Sequence, residues 1–324
     1  MMTDMPNLWG FLRLAAVLVL SGLVGCGLLV WAMAVRLLCP ARMREGRAMY
    51  LLKRLSPADL GLPYCDMNFS VPDQASGRDI RINGWWIEHE TPSDRTAILI
   101  HGYSDAKVGG IAWAPLMRSL GFNVLAIDLR AHGDSQGRFT TAGFYERHDL
   151  SHVIDELKRQ QPQQSRRVVL LGVSLGAAVA LATAALRDDL AALIIECPYV
   201  DFPSAVLSHG ENLPMPGRLF QRLALRLCQK ISRVDYSQVR PLDLIRTVRC
   251  PMWIVQVTDD PFVPPADRAA IAAAVAARSP QLPPARLWEV EGSFHVLALA
   301  DHPDEYRRRL AEFLEHAMLE AIPS

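Results

Sequence analysis

A serine between glycines, an aspartate beside a proline and a histidine follow one another along the second half of the chain. That order of residue types has the makings of nucleophilic acyl transfer. The serine is Ser174, in Gly172-Val173-Ser174-Leu175-Gly176. A serine hydroxyl is a weak nucleophile until a base takes its proton, and the base must be oriented by an acid. Where the serine stands on a sharp strand-to-helix turn, the acid and then the base come later in the chain. His295, in Glu291-Gly292-Ser293-Phe294-His295, is the expected base. His302 and His316 fall at or within a C-terminal helix and are expected at the surface. In Thr258-Asp259-Asp260-Pro261-Phe262-Val263-Pro264, Asp260 is the expected acid, directly before a proline-stiffened turn. Asp259 is then a turn or capping residue, and Asp201 is a third candidate.

The oxyanion of an acyl intermediate needs two pre-aimed donors. The N–H of Leu175, next after the nucleophile, is one expected donor. The other is the N–H of Tyr103, in the loop His101-Gly102-Tyr103 after an apolar run. His101 and His132 are read as turn-shaping residues, because the base comes last in the chain. The chemistry calls for no metal and no organic cofactor. The six cysteines (Cys26, Cys39, Cys65, Cys197, Cys228, Cys250) form no CxxC pair and no His/Cys cluster with metal-ligand spacing. Cys26 lies in an apolar segment, and the others are read mostly as small core residues.

These side chains need strands and turns to hold them. Val168-Val169-Leu170-Leu171 supplies a strand before Ser174, and the small-residue run Ala177–Leu186 a helix after it. Strands are expected at Ile80–Ile87, Thr96–Ile100, Phe122–Leu129, Ala191–Ile195, Met252–Val257 and Arg286–Val290. Helices are expected at Ile111–Leu120, Phe144–Gln160, Ala266–Ala277 and Pro303–Ala317. Alternating helices and strands, most strands apolar on both faces, predict an α/β fold with a mostly parallel sheet covered on both sides. The roughly fifty residues between Pro198 and Arg249 exceed an ordinary connection. They contain Pro214, Pro216 and Gly217, and read as a helical cap insertion (199–249) over the carboxyl edge of the sheet.

The chain has 324 residues, half of them apolar, with 34 basic and 34 acidic residues and a formal net charge of zero. No overall field favours nucleic acid, and no nucleic-acid-binding signature is present. The length suits one large domain with an appendage. Residues Leu14–Val35 carry no charge, about the 20 residues that a membrane-spanning helix takes. The expected organisation is an anchor over 1–38, a basic helical linker over 39–62 near the membrane surface, and a catalytic domain over 63–324. Leu23-Val24-Gly25-Cys26 offers a rival reading, a lipoprotein processing box, but the apolar run continues past it through Leu28-Leu29-Val30-Trp31.

The segments His101-Gly102-Tyr103-Ser104-Asp105, Asp128-Leu129-Arg130-Ala131-His132-Gly133-Asp134-Ser135, Gly172–Gly176, Asp260–Pro264 and Phe294-His295 together resemble the α/β-hydrolase superfamily. The likeness covers roughly 80–314. It is nearest to the membrane-anchored esterase and serine-aminopeptidase-like groups, which Thr140–Glu146 also resembles. Ala131 departs from the glycine common there. The resemblance implies an α/β-hydrolase fold and a Ser174–Asp260–His295 triad cleaving a carboxylic ester of a small-molecule or lipid acyl substrate through an acyl-enzyme. A serine aminopeptidase or an acyltransferase would use the same triad. A prolyl-oligopeptidase type is disfavoured by the short region before His101, and a dehalogenase or epoxide hydrolase by serine at the elbow. A non-catalytic binding protein is disfavoured because all three triad residues are present.

Within the cap, Leu219, Leu223, Leu227 and Ile231 form one stripe of a helix over Arg218–Ile231, and Arg218, Arg222, Arg226 and Lys230 another. The leucines are expected to pack inward and the basic residues to face water; a second reading sets the basic face against anionic lipid. Before the apolar span stands Arg13, opposed by Asp4; after it come Arg36, Arg42, Arg44, Arg47, Lys53 and Arg54. The positive-inside rule places the bulk of the chain on the cytoplasmic side. A reporter active only in the periplasm, fused to the C-terminus in a bacterial host, is expected to stay silent; an active fusion would reverse the orientation.

Overall fold

Runs such as Ala97–Ile100 and Val168–Leu171 have no polar side to turn to water, so both faces must be covered. In the computed structural model, which describes residues 5–43, 45–208 and 215–320, these runs are the centre of an eight-stranded sheet. The expectations at Asp4, Arg44 and Pro214 lie outside the described residues. The strands are β1 (Cys65–Asp73), β2 (Arg78–Ile87), β3 (Arg95–Ile100), β4 (Asn123–Ile127), β5 (Arg167–Val173), β6 (Ala192–Glu196), β7 (Met252–Val257) and β8 (Ala285–Val290). Their spatial order is β1-β2-β4-β3-β5-β6-β7-β8. β1 with β2 and β2 with β4 are antiparallel; every other pair is parallel. The order reverses at β3, so loops leaving β3, β5, β6 and β7 gather at one carboxyl edge, where open α/β sheets bind ligands.

Two cores cover the sheet. Leu150, Val153 and Ile154 of the helix Glu146–Gln160 and Val179 and Ala180 of the helix Leu175–Ala184 lie in one; Tyr306, Leu310 and Phe313 of the helix Pro303–Glu320 lie in the other. The two cores account for most of the apolar runs. Cys197, Cys228 and Cys250 are buried as expected of core residues, whereas Cys39 and Cys65 are exposed.

Several elements differ from the sequence reading. β1 is an edge strand in which Met67, Phe69 and Val71 alternate inward, with Pro72 one residue before its end, which an edge tolerates. The helix expected over Ile111–Leu120 is a 3₁₀ turn (Ile111–Trp113) followed by a short helix (Ala114–Ser119), because Pro115 has no N–H to bond back to Ile111. Of the linker expected to be helical, only Glu45–Leu52 is α-helix, with a single 3₁₀ turn at Pro57–Leu60; Pro40 and Pro57 bracket it. Its basic residues lie partly on the domain rather than free beside a membrane. Arg42 donates to the carbonyls of Gly133 and Ser135 (2.8 and 2.7 Å), and Arg54 to Val108 and Gly109.

The N-terminal helix runs Met5–Leu38, and its stretch Trp9–Leu38 is long and apolar enough to cross a membrane by length and composition. Its last turns pack on the domain, with Ala34 and Leu38 buried. The cap helix Gly217–Ser232 lies alongside it. The buried face of this helix is Gln221, Ala224, Leu225, Cys228 and Ser232; of the leucine stripe, Leu227 and Ile231 are half-buried against the core, whereas Leu219 and Leu223 are exposed. Ala224, Cys228 and Ser232 recur every four residues, and their small side chains allow the close approach that leucines would block. Arg222, Arg226 and Lys230 face outward.

A buried ion cluster ties three of these elements together. Arg130, after β4, holds Asp149 of the helix Glu146–Gln160 through two bonds of 2.6 and 2.7 Å, and Asp73 at the end of β1 at 3.0 Å. Arg130→Met strands two carboxylates away from water. The expected loss is about 3–5 kcal/mol of unfolding free energy, read by urea denaturation.

Candidate functional site

At the carboxyl end of β5 the chain must reverse sharply to start the helix Leu175–Ala184. Ser174 makes that turn with φ 54° and ψ −115°, a conformation costing about 1–3 kcal/mol for a residue with a side chain. Close packing enforces it. A Cβ on Gly172 would strike the carbonyl oxygen of Gly176, and one on Gly176 would strike that of Ile100. The turn is pinned further by the Ser174 N–H, which donates to the Glu196 carbonyl at 2.9 Å. The side chain of Ser174 is thereby partly exposed while its neighbours Val173 and Leu175 are buried.

The loops after β7 and β8 bring the expected acid and base together. His295 Nδ1–H donates to Asp260 Oδ2 at 2.7 Å. Asp260 Oδ1 accepts from the N–H groups of Phe262 and Val263 at 2.8 and 3.1 Å, so the proline-bearing turn holds the carboxylate in place. Phe262 stands edge-on to the imidazole, with ring centres 4.8 Å apart. The neighbouring Asp259 is exposed, and Asp201 accepts from the Ser204 N–H (2.8 Å) at the start of the helix Phe202–Ser208. His302 and His316 contact the main-chain carbonyls of Glu291 and Glu312, away from this group.

Ser174, Leu175, Tyr103 and His295 line one cavity of about 580 Å³, walled on its far side by Tyr199, Phe202, Val206 and Gln221 of the cap segment. Among the described residues no hydrogen bond joins Ser174 Oγ to His295, and the N–H groups of Tyr103 and Leu175 donate to no protein acceptor. A serine beside an imidazole held by a carboxylate, with free N–H groups at hand, can carry out acyl transfer to water.

His101 and His132 are held as neutral imidazoles. The Leu129 N–H donates to His101 Nε2 (3.1 Å), and His101 Nδ1 lies 2.7 Å from the Gly102 carbonyl. His132 Nδ1 lies 2.9 Å from the Arg130 carbonyl. Burial lowers the pKa of both, that of His132 to about 3. They fix the loops after β3 and β4. In the Thr140–Glu146 segment, Glu146 accepts from Thr140, Thr141 and Gly143 and so holds that loop closed.

Several neighbours were not read from the sequence. Glu196, closing β6, accepts from the Ala298 N–H (3.2 Å) and the Tyr306 hydroxyl (3.1 Å), and Trp113 donates to the same hydroxyl. A lone carboxylate ending an apolar strand was the available clue. Cys197 follows it; its Sγ and ligand atoms of Asp260 and His295 lie within 4.8 Å of one another, the one group among the described residues that could hold a metal ion. Burial, with the charges of Glu196 and Asp260, pushes the Cys197 thiol well above its usual pKa. It stays protonated, a poor metal ligand, and receives the Val296 N–H at 3.4 Å. Gln221, and Met33, Arg36 and Leu37 of the N-terminal helix, also line the cavity.

The profile of the alpha/beta hydrolase family matches residues 97–309. An uncharacterized protein, YqkD, of Bacillus subtilis is 27% identical over 252 residues, spanning 76% of this chain and 79% of its own length. The lysophosphatidylserine lipase ABHD12 of Xenopus tropicalis is 23% identical over 289 residues, 80% of this chain and 70% of that one. In three dimensions, the esterase Pf2001 of Pyrococcus furiosus superposes with a TM-score of 0.66 at 25% identity, covering 82% of this chain and 96% of that chain.

Glu196 makes a pH prediction. Its burial, opposed by the bonds from Tyr306 and Ala298 and aided by the charge of Asp260, raises its pKa to about 7. Unfolded, it releases its proton near 4.5, so between about 4.5 and 7 the folded state holds more protons than the unfolded one. Stability from this group is full below that window and falls as pH rises through it. Glu196→Gln should flatten that part of the decline in melting temperature, measured against wild type across the window; an unchanged slope would contradict the assignment.

Proposed function

The chain belongs to the alpha/beta hydrolase family, and on that footing we propose that it is a serine esterase, with Ser174 as nucleophile, His295 as base and Asp260 as the acid that orients it. The observation that carries the reading is the 2.7 Å bond between His295 and Asp260 in the loop cluster that also presents Ser174 on its turn. In the reaction, His295 takes the Ser174 proton as Oγ attacks the ester carbonyl. The N–H groups of Tyr103 and Leu175 hold the oxyanion, whose charge develops beside the positive end of the helix Leu175–Ala184. His295 returns the proton to the leaving alcohol. Water, activated by the same imidazole, then releases the acid and frees Ser174.

The substrate is a carboxylic ester with an apolar acyl part. The cavity wall, with Leu175, Phe202, Val206 and Val263, favours hydrocarbon over charge, and an esterase and a lysophosphatidylserine lipase among the similar proteins support an ester or lipid substrate. The N-terminal helix anchors the enzyme to a membrane, residues 63–324 form the catalytic domain with a cap at 199–249, and the positive flank holds that domain on the cytoplasmic face.

Ser174→Ala is expected to lower kcat on p-nitrophenyl butyrate by about 10⁵-fold or more. Asp260→Asn is expected to cost about 10⁴-fold through loss of the correct imidazole tautomer. Turnover near the wild-type rate in either folded variant would refute the assignment.

A further inference from the structure

The end of the N-terminal helix is bound into the site rather than leading away from it. Trp9–Leu38 is 30 residues, about 45 Å of helix, whereas a bilayer core of about 30 Å takes about 20 residues. A span of about that length counted from Leu14, the first residue after Arg13, closes near Met33. The turns beyond it stand at the headgroup level, and there the domain grips them. The last carbonyls of a helix have no partner within it. Here the Tyr103 hydroxyl donates to the Arg36 carbonyl at 2.7 Å and the Thr140 N–H to that of Leu38 at 2.8 Å, and one turn earlier the Cys228 thiol adds a bond to the Ala34 carbonyl at 3.4 Å.

Ala34 and Leu38 point into the domain core, while Met33, Arg36 and Leu37, three and four positions apart on one face, line the cavity that holds Ser174 and His295. The exposed Leu223 of the cap helix lines a second groove with Cys26, Gly27 and Val30, which makes an apolar rim along the N-terminal helix. Such a rim on the outside of a domain is an expected contact for lipid.

We propose that the last turns of the N-terminal helix form a wall of the acyl-binding cavity, so that a single-chain ester amphiphile enters sideways from the bilayer interface. The inference rests on the esterase reading of Ser174. A cavity of about 580 Å³ is of the size that takes one small ligand, and the helix residues that line it, Met33, Arg36 and Leu37, stand at the end of a span of about 20 residues. The acyl chain lies along Met33 and Leu37, the ester reaches Ser174, and the polar end stays at the level of Arg36, whose stem lies on the apolar wall with its charge toward the headgroups.

The test uses the full chain in phospholipid nanodiscs, with p-nitrophenyl acetate and p-nitrophenyl decanoate as probes. Met33→Trp fills the wall, and Met33→Ala opens it. Leu20→Trp, on the outward face of the same helix, serves as control. The quantity read is the ratio of kcat/KM for decanoate over acetate. Met33→Trp is expected to lower that ratio by about tenfold or more, Met33→Ala to shift it measurably, and Leu20→Trp to leave it unchanged. A ratio within about twofold of wild type in both Met33 variants would overturn the proposal while leaving the esterase reading intact. A wild-type protein that cleaves neither ester would overturn that reading and this proposal with it.

Discussion

The steric fit of the turn at Ser174 is the constraint on which the rest of the site depends. The helix Leu175–Ala184 can start directly off β5 only because Gly176 lies against the Ile100 carbonyl and Gly172 against Gly176. Any side chain at either position would push helix and strand apart. The same contact sets the helix end beside the loop leaving β3, so the Leu175 and Tyr103 N–H groups come to border one cavity. The cost of the strained backbone at Ser174 is borne by the parallel pairing of β3, β5 and β6 on either side of it.

Behind His295 the structure is arranged to keep a single negative charge in place. Asp260 receives two main-chain N–H groups and the imidazole. Cys197 beside it is held as a neutral thiol, and the buried Glu196 is pushed toward its protonated form. Two ionised carboxylates this close in a dry environment would repel each other strongly. The hydrogen bonds from Tyr306 and Ala298 let Glu196 remain buried while it anchors the loop that carries His295.

The sheet was legible because its centre consists of short, continuously apolar strands with glycine or proline between them. The candidate site was legible because Ser174 directly follows β5, while Asp260 and His295 lie in the loops after β7 and β8. What stayed hidden has physical reasons. β1 carries a clear alternation at Met67, Phe69 and Val71, but pairs only at the edge and contains a proline, Pro72. The leucine stripe of the cap helix predicted its buried face only in part: Leu227 and Ile231 pack against the core, but Leu219 and Leu223 are exposed, and small residues at 224, 228 and 232 let the helix approach the N-terminal one. That N-terminal helix is apolar all round, so no periodicity marks which face meets the domain. Met33, Arg36 and Leu37 therefore read as parts of a span and its flank, and Glu196 falls just past the strand read over Ala191–Ile195.

The helix end, the cap and the elbow border one cavity, in which Ser174 Oγ is proposed as the nucleophile that takes the acyl group. The most direct measurement is reaction of the full chain with a fluorophosphonate, followed by peptide mass spectrometry to locate the adduct. The account predicts a single adduct, on the peptide bearing Ser174, which disappears in the heat-unfolded protein. An adduct on another residue, with Ser174 unmodified, would contradict it.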